Sequence, residues 1–375
     1  MDIIFFHKSL IQYGGAEVVL FNDMASALEN GQTVILCCKN ISSELSCNLP
    51  KGIEYISYNN ILELYNIFKR KKNTMIICSS GIIDIFLAKL SNVNNVVVYD
   101  HHPVIFADLY SWHSLPIIRR YAKRFSKEYA ITNTMKFPVR LRGTIRNILH
   151  VSALRRAHSI TVLSNFAAKE KKSLIGINAH IIYTGFPKPI SKNISEKLKL
   201  TDYDLVVITR LSDDKNLINL IKAFYIFNKS QEQEYTLNIF GKGREKSTLD
   251  SVIEKLEIQR NVRLHGFITE QIKWEVLSET SVFINPQVAD YNLTSLEAVF
   301  AGCKVVTSSI DVVCNEVSNG NMVFSGNLFD KDEFAKIIQK AVESNIKVEK
   351  FTMKNFRTPK LFTWKSRWAQ IMERC

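Results

Sequence analysis

The 375-residue sequence has no run of about 18 uncharged apolar residues, so no segment is expected to cross a bilayer as a helix. The opening MDIIFF carries an acid at its second position and no basic stretch before a long apolar run, so it is expected to be a first strand and not a secretion signal. The seven cysteines (Cys37, Cys38, Cys47, Cys78, Cys303, Cys314 and Cys375) are odd in number and contain no C-x-x-C pair. They read as reduced cytosolic thiols, neither zinc ligands nor a disulfide frame. Acids are scarce beside bases: 36 Asp and Glu against 49 Lys and Arg leave a formal charge of +13 and a pI near 9.3. Such a balance calls for an acidic partner, yet no recognition helix, zinc finger or RNA-binding platform accompanies it, which places nucleic acid last among the candidates. Asp202-Tyr203-Asp204 and Asp330-Lys331-Asp332 resemble metal-chelating pairs. The first precedes its strand and the second sits where a helix N-terminus favours acids, so both are expected to be structural and no catalytic metal is expected.

What is present is the composition of a globular protein, 46% hydrophobic and 23% charged, at a length that favours two domains over one core. The positive charge is concentrated. Between Ile117 and Arg156 eleven Lys and Arg residues, Arg119, Arg120, Lys123 and Arg124 among them, face Glu128 alone, with aromatics interleaved. On helices this separates apolar from basic faces, which suits an anionic membrane surface or a lipid diphosphate; a solvated cationic face is the competing account.

Phe283 to Val306 organises the second half. Val282-Phe283-Ile284 reads as a short apolar strand, Pro286 breaks it, Asn292 can cap a helix from Leu293 to Ala301, and Gly302 can end it before a strand from Lys304 to Ser308. Strand, helix and strand in about 25 residues is one unit of a parallel sheet, whose ligands bind beyond the carboxyl ends of the strands. Asp290, Asn292, Leu293 and Thr294 stand at that end. The free N–H groups of Leu293 to Ser295 suit a pyrophosphate, and Glu297, one turn on, suits paired hydroxyls. A capped surface helix with a solvated glutamate is the alternative.

Similar alternation runs through the chain. Ile3 to Phe6 is a predicted strand followed by Gly14-Gly15-Ala16-Glu17 and a helix from Val18 to Asn30. Two glycines there let backbone approach a ligand at a helix N-terminus, although a tight turn explains them nearly as well. Further strands are expected at Thr33–Cys37, Met75–Cys78, Asn95–Tyr99 and Ser159–Leu163. The strand Val96 to Tyr99 runs into Asp100-His101-His102-Pro103, where an imidazole can meet a sugar hydroxyl or a developing charge; an ordinary loop histidine is the competing account. Pro187, Pro189 and the polar run after them break the pattern, giving domains of 1–187 and 188–362. The second starts with a strand at Leu205–Ile208 and places Arg210 on the loop and Lys215 on the first turn of the next helix. The dipole disfavours bases there, so an anionic ligand is expected to compensate them. Gly241-Lys242-Gly243 is no Walker A loop but a tight strand-to-helix passage, and Gly266-Phe267-Ile268 is a loop whose backbone can read a nucleobase.

Gly14-Gly15-Ala16-Glu17, Arg210-Leu211-Ser212 through Lys215-Asn216, Gly241-Lys242-Gly243, His265-Gly266-Phe267 and Leu296-Glu297-Ala298 through Gly302 follow in one order and spacing. This resembles a GT-B glycosyltransferase of the retaining family 4, most strongly in the second half. The resemblance implies an α/β fold of two Rossmann-like, doubly wound parallel-sheet domains facing a central cleft, with the helix at about 363–375 crossing back to the first. It implies that Arg210 and Lys215 hold the donor diphosphate and stabilise its growing charge. Gly15, with Gly14, would back the diphosphate, the Leu293 and Thr294 amides would cup the distal phosphate, and Glu297 would bind ribose. His101, or His102 beside it, would meet the sugar, with Gly241, Gly243 and Phe267 lining the donor. One departure stands out: where the family carries a second glutamate, eight residues before Glu297, this chain has Ala289, with Asp290 adjacent as a substitute.

The expectation is therefore a metal- and cofactor-independent hexosyltransferase, cytoplasmic and peripheral on the inner membrane face. It would move a sugar from a UDP- or GDP-linked donor to a saccharide, lipid-linked acceptor in surface polysaccharide, lipopolysaccharide or capsule assembly. The alternative is a non-catalytic nucleotide-sugar-binding or scaffolding protein on the same fold, motivated by Ala289.

Overall fold

A computed structural model describes residues 2–100, 149–185 and 204–374, apart from positions 12, 13, 72, 73, 80, 92, 94, 320, 358, 359 and 361. They form two compact units, one holding residues up to 100, 149–185 and the C-terminal segment from Lys360, the other running from Asp204 to Arg357.

In the first unit the described elements are β1 (Asp2–Leu10), α1 (Gly15–Glu29), β2 (Thr33–Ile41), α2 (Ser43–Cys47), β3 (Glu54–Ile56), α3 (Ile61–Arg70), β4 (Thr74–Ser79), α4 (Ile82–Leu90), β5 (Asn95–Tyr99), β6 (Ser159–Val162), α5 (Asn165–Ile175) and β7 (His180–Ile181). The strands make one sheet ordered β3-β2-β1-β4-β5-β6-β7, and their pairings are parallel. Ile3 to Phe6 are buried on both faces, as the unbroken apolar run of a central parallel strand requires. β1 continues beyond the expected Phe6 because Ser9 and Leu10 still pair with Asn40 and Ile41 of β2. Local chemistry sets the helix ends: the Asn60 side chain accepts from the Glu63 amide at 2.9 Å, and the Ser164 hydroxyl accepts from Ala167 at 3.0 Å. The C-terminal helix (Trp364–Glu373) packs on α1. Buried Trp368 lies 5.9 Å from Phe5, and buried Arg367 shares its Nε–H between the two oxygens of Asp23 at 2.9 and 3.0 Å.

The second unit comprises β8 (Asp204–Ile208), α6 (Leu217–Lys229), β9 (Thr236–Phe240), α7 (Lys246–Lys255), β10 (Val262–Gly266), α8 (Glu270–Glu279), β11 (Val282–Ile284), α9 (Leu293–Ala301), β12 (Lys304–Ser308), β13 (Val323–Gly326) and α10 (Lys331–Glu343). Its parallel sheet is ordered β10-β9-β8-β11-β12-β13. The chain order thus reverses between β8 and β11, the position at which open α/β sheets hold ligands. α9 has the expected bounds, capped by Asn292, whose side chain accepts from Ser295 at 3.1 Å, and ended by Gly302 at φ 79°.

One sequence expectation changes here, and one strand is added. Lys215 is not in the first turn of a long helix: Asp213–Lys215 is a separate 3₁₀ turn, and Asn216, at φ 54°, divides it from α6. α7 starts at Lys246, because the Glu245 amide is drawn to the Leu211 carbonyl at 3.1 Å. β13, not among the expected strands, forms because Val305 to Ser308 offer it a parallel partner. Asp330 is structural, as expected, accepting from the Asp332 and Glu333 amides of α10.

Candidate active site

The carboxyl ends of β8, β9 and β10 are stitched together by backbone. The Thr209 amide donates to the Phe240 carbonyl at 2.9 Å, Leu211 to Lys242 at 3.1 Å and Gly241 to Gly266 at 2.7 Å. The segments bearing Arg210, Gly241 to Gly243 and Phe267 therefore share one edge. Gly241 and Gly243 have a protein reason to be glycine: a Cβ on Gly241, at φ 148°, would overlap the Thr209 carbonyl, and one on Gly243 would overlap that of Leu211. The opposite holds at Gly15 in the first unit, where a Cβ would meet nothing within 4 Å; at Gly14 it would come 3.1 Å from the Glu17 carboxylate.

The two cations differ. Arg210 is exposed, while the Lys215 side chain is only 11% exposed, its ammonium 2.9 Å from Asp214 and donating to Gln287 Oε1 at 2.7 Å. Burial lowers its pKa; Asp214 opposes the shift, and the positive charge of Arg210 adds to it. Two of the three ammonium donors are spoken for, leaving one for a ligand. The Gln287 contact joins the β8 loop to the β11 loop across the switch point, and the Asn216 amide does the same by donating to Pro286 O at 3.2 Å and Leu328 O at 2.8 Å.

At the N-terminus of α9 the cap consumes the Ser295 amide, which corrects the expected trio: Leu293 and Thr294 keep N–H groups with no intrahelical acceptor. Behind them lies a buried polar network. The Asp311 carboxylate accepts from Asn285 (3.1 Å), Thr307 (2.8 Å), Ser295 (3.0 Å) and the Val313 amide (3.2 Å), and Asn292 donates to Asn285 at 3.2 Å. Burial pushes the Asp311 pKa up to about 6 against these four donors. The network holds the helix end in place, and such polar groups scattered over 27 positions give no sequence pattern.

Glu297, expected to bind paired hydroxyls, is 1% exposed, which excludes the solvated glutamate of the alternative reading. Its Oε1 accepts from Lys273 of α8 at 2.7 Å, while Oε2, also buried, has no hydrogen-bond partner among the described residues. Lys273 also reaches Glu270 at 2.7 Å. Burial pulls the ammonium down, but Glu297 and Glu270 outweigh it, so its pKa is raised. Burial raises that of Glu297, with Lys273 pulling it back. Neither Lys273 nor Gln287 was visible as a site residue: each acquires its role from a partner far along the chain.

Asp290, the expected substitute carboxylate, is 3% exposed and hydrogen-bonded within the unit; its carbonyl accepts from Val312 at 2.8 Å. Ala289 beside it is half-buried. Phe267 is 58% exposed, with the Lys242 ammonium 4.9 Å from its ring centre. His265 stacks on Phe240 at 4.4 Å, and its Nε2 lies 2.8 Å from Asn238 Oδ1. Since Asn238 donates its amide to Asp204 at 2.7 Å, Nε2 must carry the proton. His101 and His102 lie outside the described residues, as does most of the basic stretch 117–156. Among the described residues no helix is long and apolar enough to cross a membrane, and no group of three or more His, Cys, Asp or Glu is placed to hold a metal.

Residues 190–357 match the glycosyl transferases group 1 family model. That stretch contains all of the second unit's candidate residues. A poly(glycerol-phosphate) alpha-glucosyltransferase of Bacillus subtilis (strain 168) is 36% identical over 114 residues, 29% of this chain and 16% of that protein's length. Among solved structures, Anabaena HepE in complex with UDP superposes with a TM-score of 0.68 at 15% identity, covering 100% of this chain and 95% of that one. The lipopolysaccharide outer core galactosyltransferase WaaB superposes at 0.64 with 14% identity, covering 100% and 99%. S. aureus TarM, solved with UDP and saccharides, gives 0.65 at 12% identity, covering 100% and 98%. The two parallel-sheet units and these superpositions make the fold GT-B, with two Rossmann-like domains.

Proposed function

We propose that the chain is a retaining glycosyltransferase of family 4 that moves a hexose from a UDP- or GDP-linked donor to a saccharide, lipid-linked acceptor in surface polysaccharide assembly. The observation that carries this is the second unit's sheet edge: Arg210, Lys215, the Leu293 and Thr294 amides and Glu297 gather on the two sides of the β8/β11 switch point. Cations and free amides suit a diphosphate, and a carboxylate one helical turn beyond them suits ribose. Chemically, the bond from the sugar's anomeric carbon to the leaving phosphate breaks while the acceptor oxygen bonds to that carbon on the same face. The acceptor's proton passes to a phosphate oxygen. Arg210 and Lys215 stabilise the charge growing on that phosphate, the contribution usually largest in such steps, so no metal is required. The UDP complex of HepE and the α-glucosyl activity named for the B. subtilis relative support this choice of donor and stereochemistry.

Acceptor binding is assigned to the first unit, with His101 or His102 at the sugar, and the basic stretch 117–156 to an anionic membrane surface. The test is nucleotide release: the purified protein with a panel of UDP- and GDP-sugars and membrane extract should release UDP or GDP with one donor, and Glu297→Ala and Lys215→Ala should abolish it. Binding without release for every donor would favour the second reading, a non-catalytic nucleotide-sugar binder, for which Ala289 and the buried Asp290 speak. Charge reversal at Arg119, Arg120, Lys123 and Arg124 should move the protein off anionic vesicles; unchanged partition would end the membrane assignment.

A further inference from the structure

We infer that Lys273 is the positioning residue that makes Glu297 a ribose-reading group: by holding Oε1 it leaves Oε2 as the single acceptor offered to the nucleotide's sugar hydroxyls. This rests on the function proposed above. Lys273 projects from α8 toward α9 with its side chain 10% exposed, and its ammonium lies 2.7 Å from both Glu297 Oε1 and Glu270 Oε2. Two carboxylates thus clamp one ammonium, one of them 40% exposed and the other 1%. A carboxylate has two oxygens, and ordinary burial satisfies both. Glu297 Oε2 has no donor among the described residues, and Glu297 lies one turn from the Leu293 and Thr294 amides expected to meet phosphate. A buried ion pair adds little net stability compared with apolar residues of the same size, so core packing alone does not call for a lysine here.

Among the described residues, the charged groups whose fields reach Glu297 are Lys273 and Glu270, both on α8. With Lys273 removed, burial and the like charge of Glu270 both favour the protonated carboxyl, a poorer acceptor. Affinity for a ribonucleotide should then fall at neutral pH and recover as pH rises and Glu297 ionises.

The experiment is calorimetric titration of the full chain with UDP and GDP and with the 2′- and 3′-deoxy forms of whichever binds, at several pH values, for the wild type, Lys273→Met, Lys273→Arg, Glu297→Gln and the Met/Gln double variant. The expected result is that Lys273→Met weakens ribonucleotide binding at least tenfold, brings the ribo-to-deoxy preference close to one, and gains affinity with rising pH where the wild type does not. Lys273→Arg, which keeps the charge, restores part of the preference; it also serves as the second variant should Lys273→Met melt before binding is measured. In the Glu297→Gln background Lys273→Met has no further effect. An unaltered ribo-to-deoxy preference in Lys273→Met or, if that variant does not fold, a wild-type preference and affinity in Lys273→Arg would overturn the inference alone. An unaltered preference in Glu297→Gln, or no binding of either nucleotide by the wild type, would overturn both this inference and the assignment of the site.

Discussion

Of the ion pairs the two units bury, Arg367–Asp23 in the first and Lys273–Glu297 in the second differ in how their carboxylates are engaged; the first unit also buries Lys171–Asp100. In the first, both oxygens of Asp23 accept from the Arg367 Nε–H, and Arg367 Nη1 donates to the Ile182 carbonyl at 2.8 Å. In the second, Glu297 has one oxygen engaged by Lys273 and the other without a donor among the described residues. The satisfied pair fastens the C-terminal helix to α1, a purely architectural task. An unpaired buried acceptor forgoes on the order of 1–3 kcal/mol of solvation, which a ligand donor at Glu297 would recover.

The largest expected effect lies in the satisfied pair. Arg367→Met should cost about 3–5 kcal/mol, read from urea unfolding, because Asp23 is left buried without a partner. A loss under about 1 kcal/mol, the range of an exposed pair, would erase the distinction. Next comes the site itself: Lys215→Met should lower donor turnover about 10²- to 10³-fold with little change in melting temperature, as removal of one donor to a developing charge does elsewhere. The Lys215 pKa is lowered by burial, so its charge is lost as pH rises through a value below that of an ordinary lysine. kcat/KM should fall on the alkaline side accordingly, and Lys215→Arg should move that fall to higher pH.

Glycines sharpen the same contrast on a smaller scale. Gly241→Ala should cost about 1–3 kcal/mol because its methyl group meets the Thr209 carbonyl. Gly15→Ala meets nothing and should stay within about 0.5 kcal/mol of wild type in stability while lowering turnover. Equal stability losses would deny Gly15 a ligand role. The smallest effect is Asn292→Ala, about 1 kcal/mol for the lost cap, detectable as a shift in the urea midpoint.

Much of the second unit was legible from local chemistry. Asn292 and Gly302 bound α9 because a cap needs only neighbours three residues away, and Asp330 caps α10 for the same reason. The parallel sheets followed from short apolar runs alternating with helices. β13 was missed because it has no pattern of its own and forms only beside β12. Gly241 and Gly243 were noticed for the right property and assigned a ligand where a neighbouring backbone supplies the cause. Lys273 escaped notice because, three residues after Glu270 on a helix, it reads as half of a surface pair; α9 packing over it is what buries it.

Sequence alone determined the alternation of strands and helices, their caps, the positive charge and the order of the glycine and basic motifs, because each depends on residues within a few positions of one another. Tertiary structure alone decided which of those groups meet: the β8/β11 switch point that brings Lys215 to Gln287, 72 residues away, and the packing that buries Glu297 against Lys273, 24 residues away. Burial and hydrogen-bond satisfaction are properties of the surroundings, and the surroundings of a side chain exist only once distant segments have closed around it.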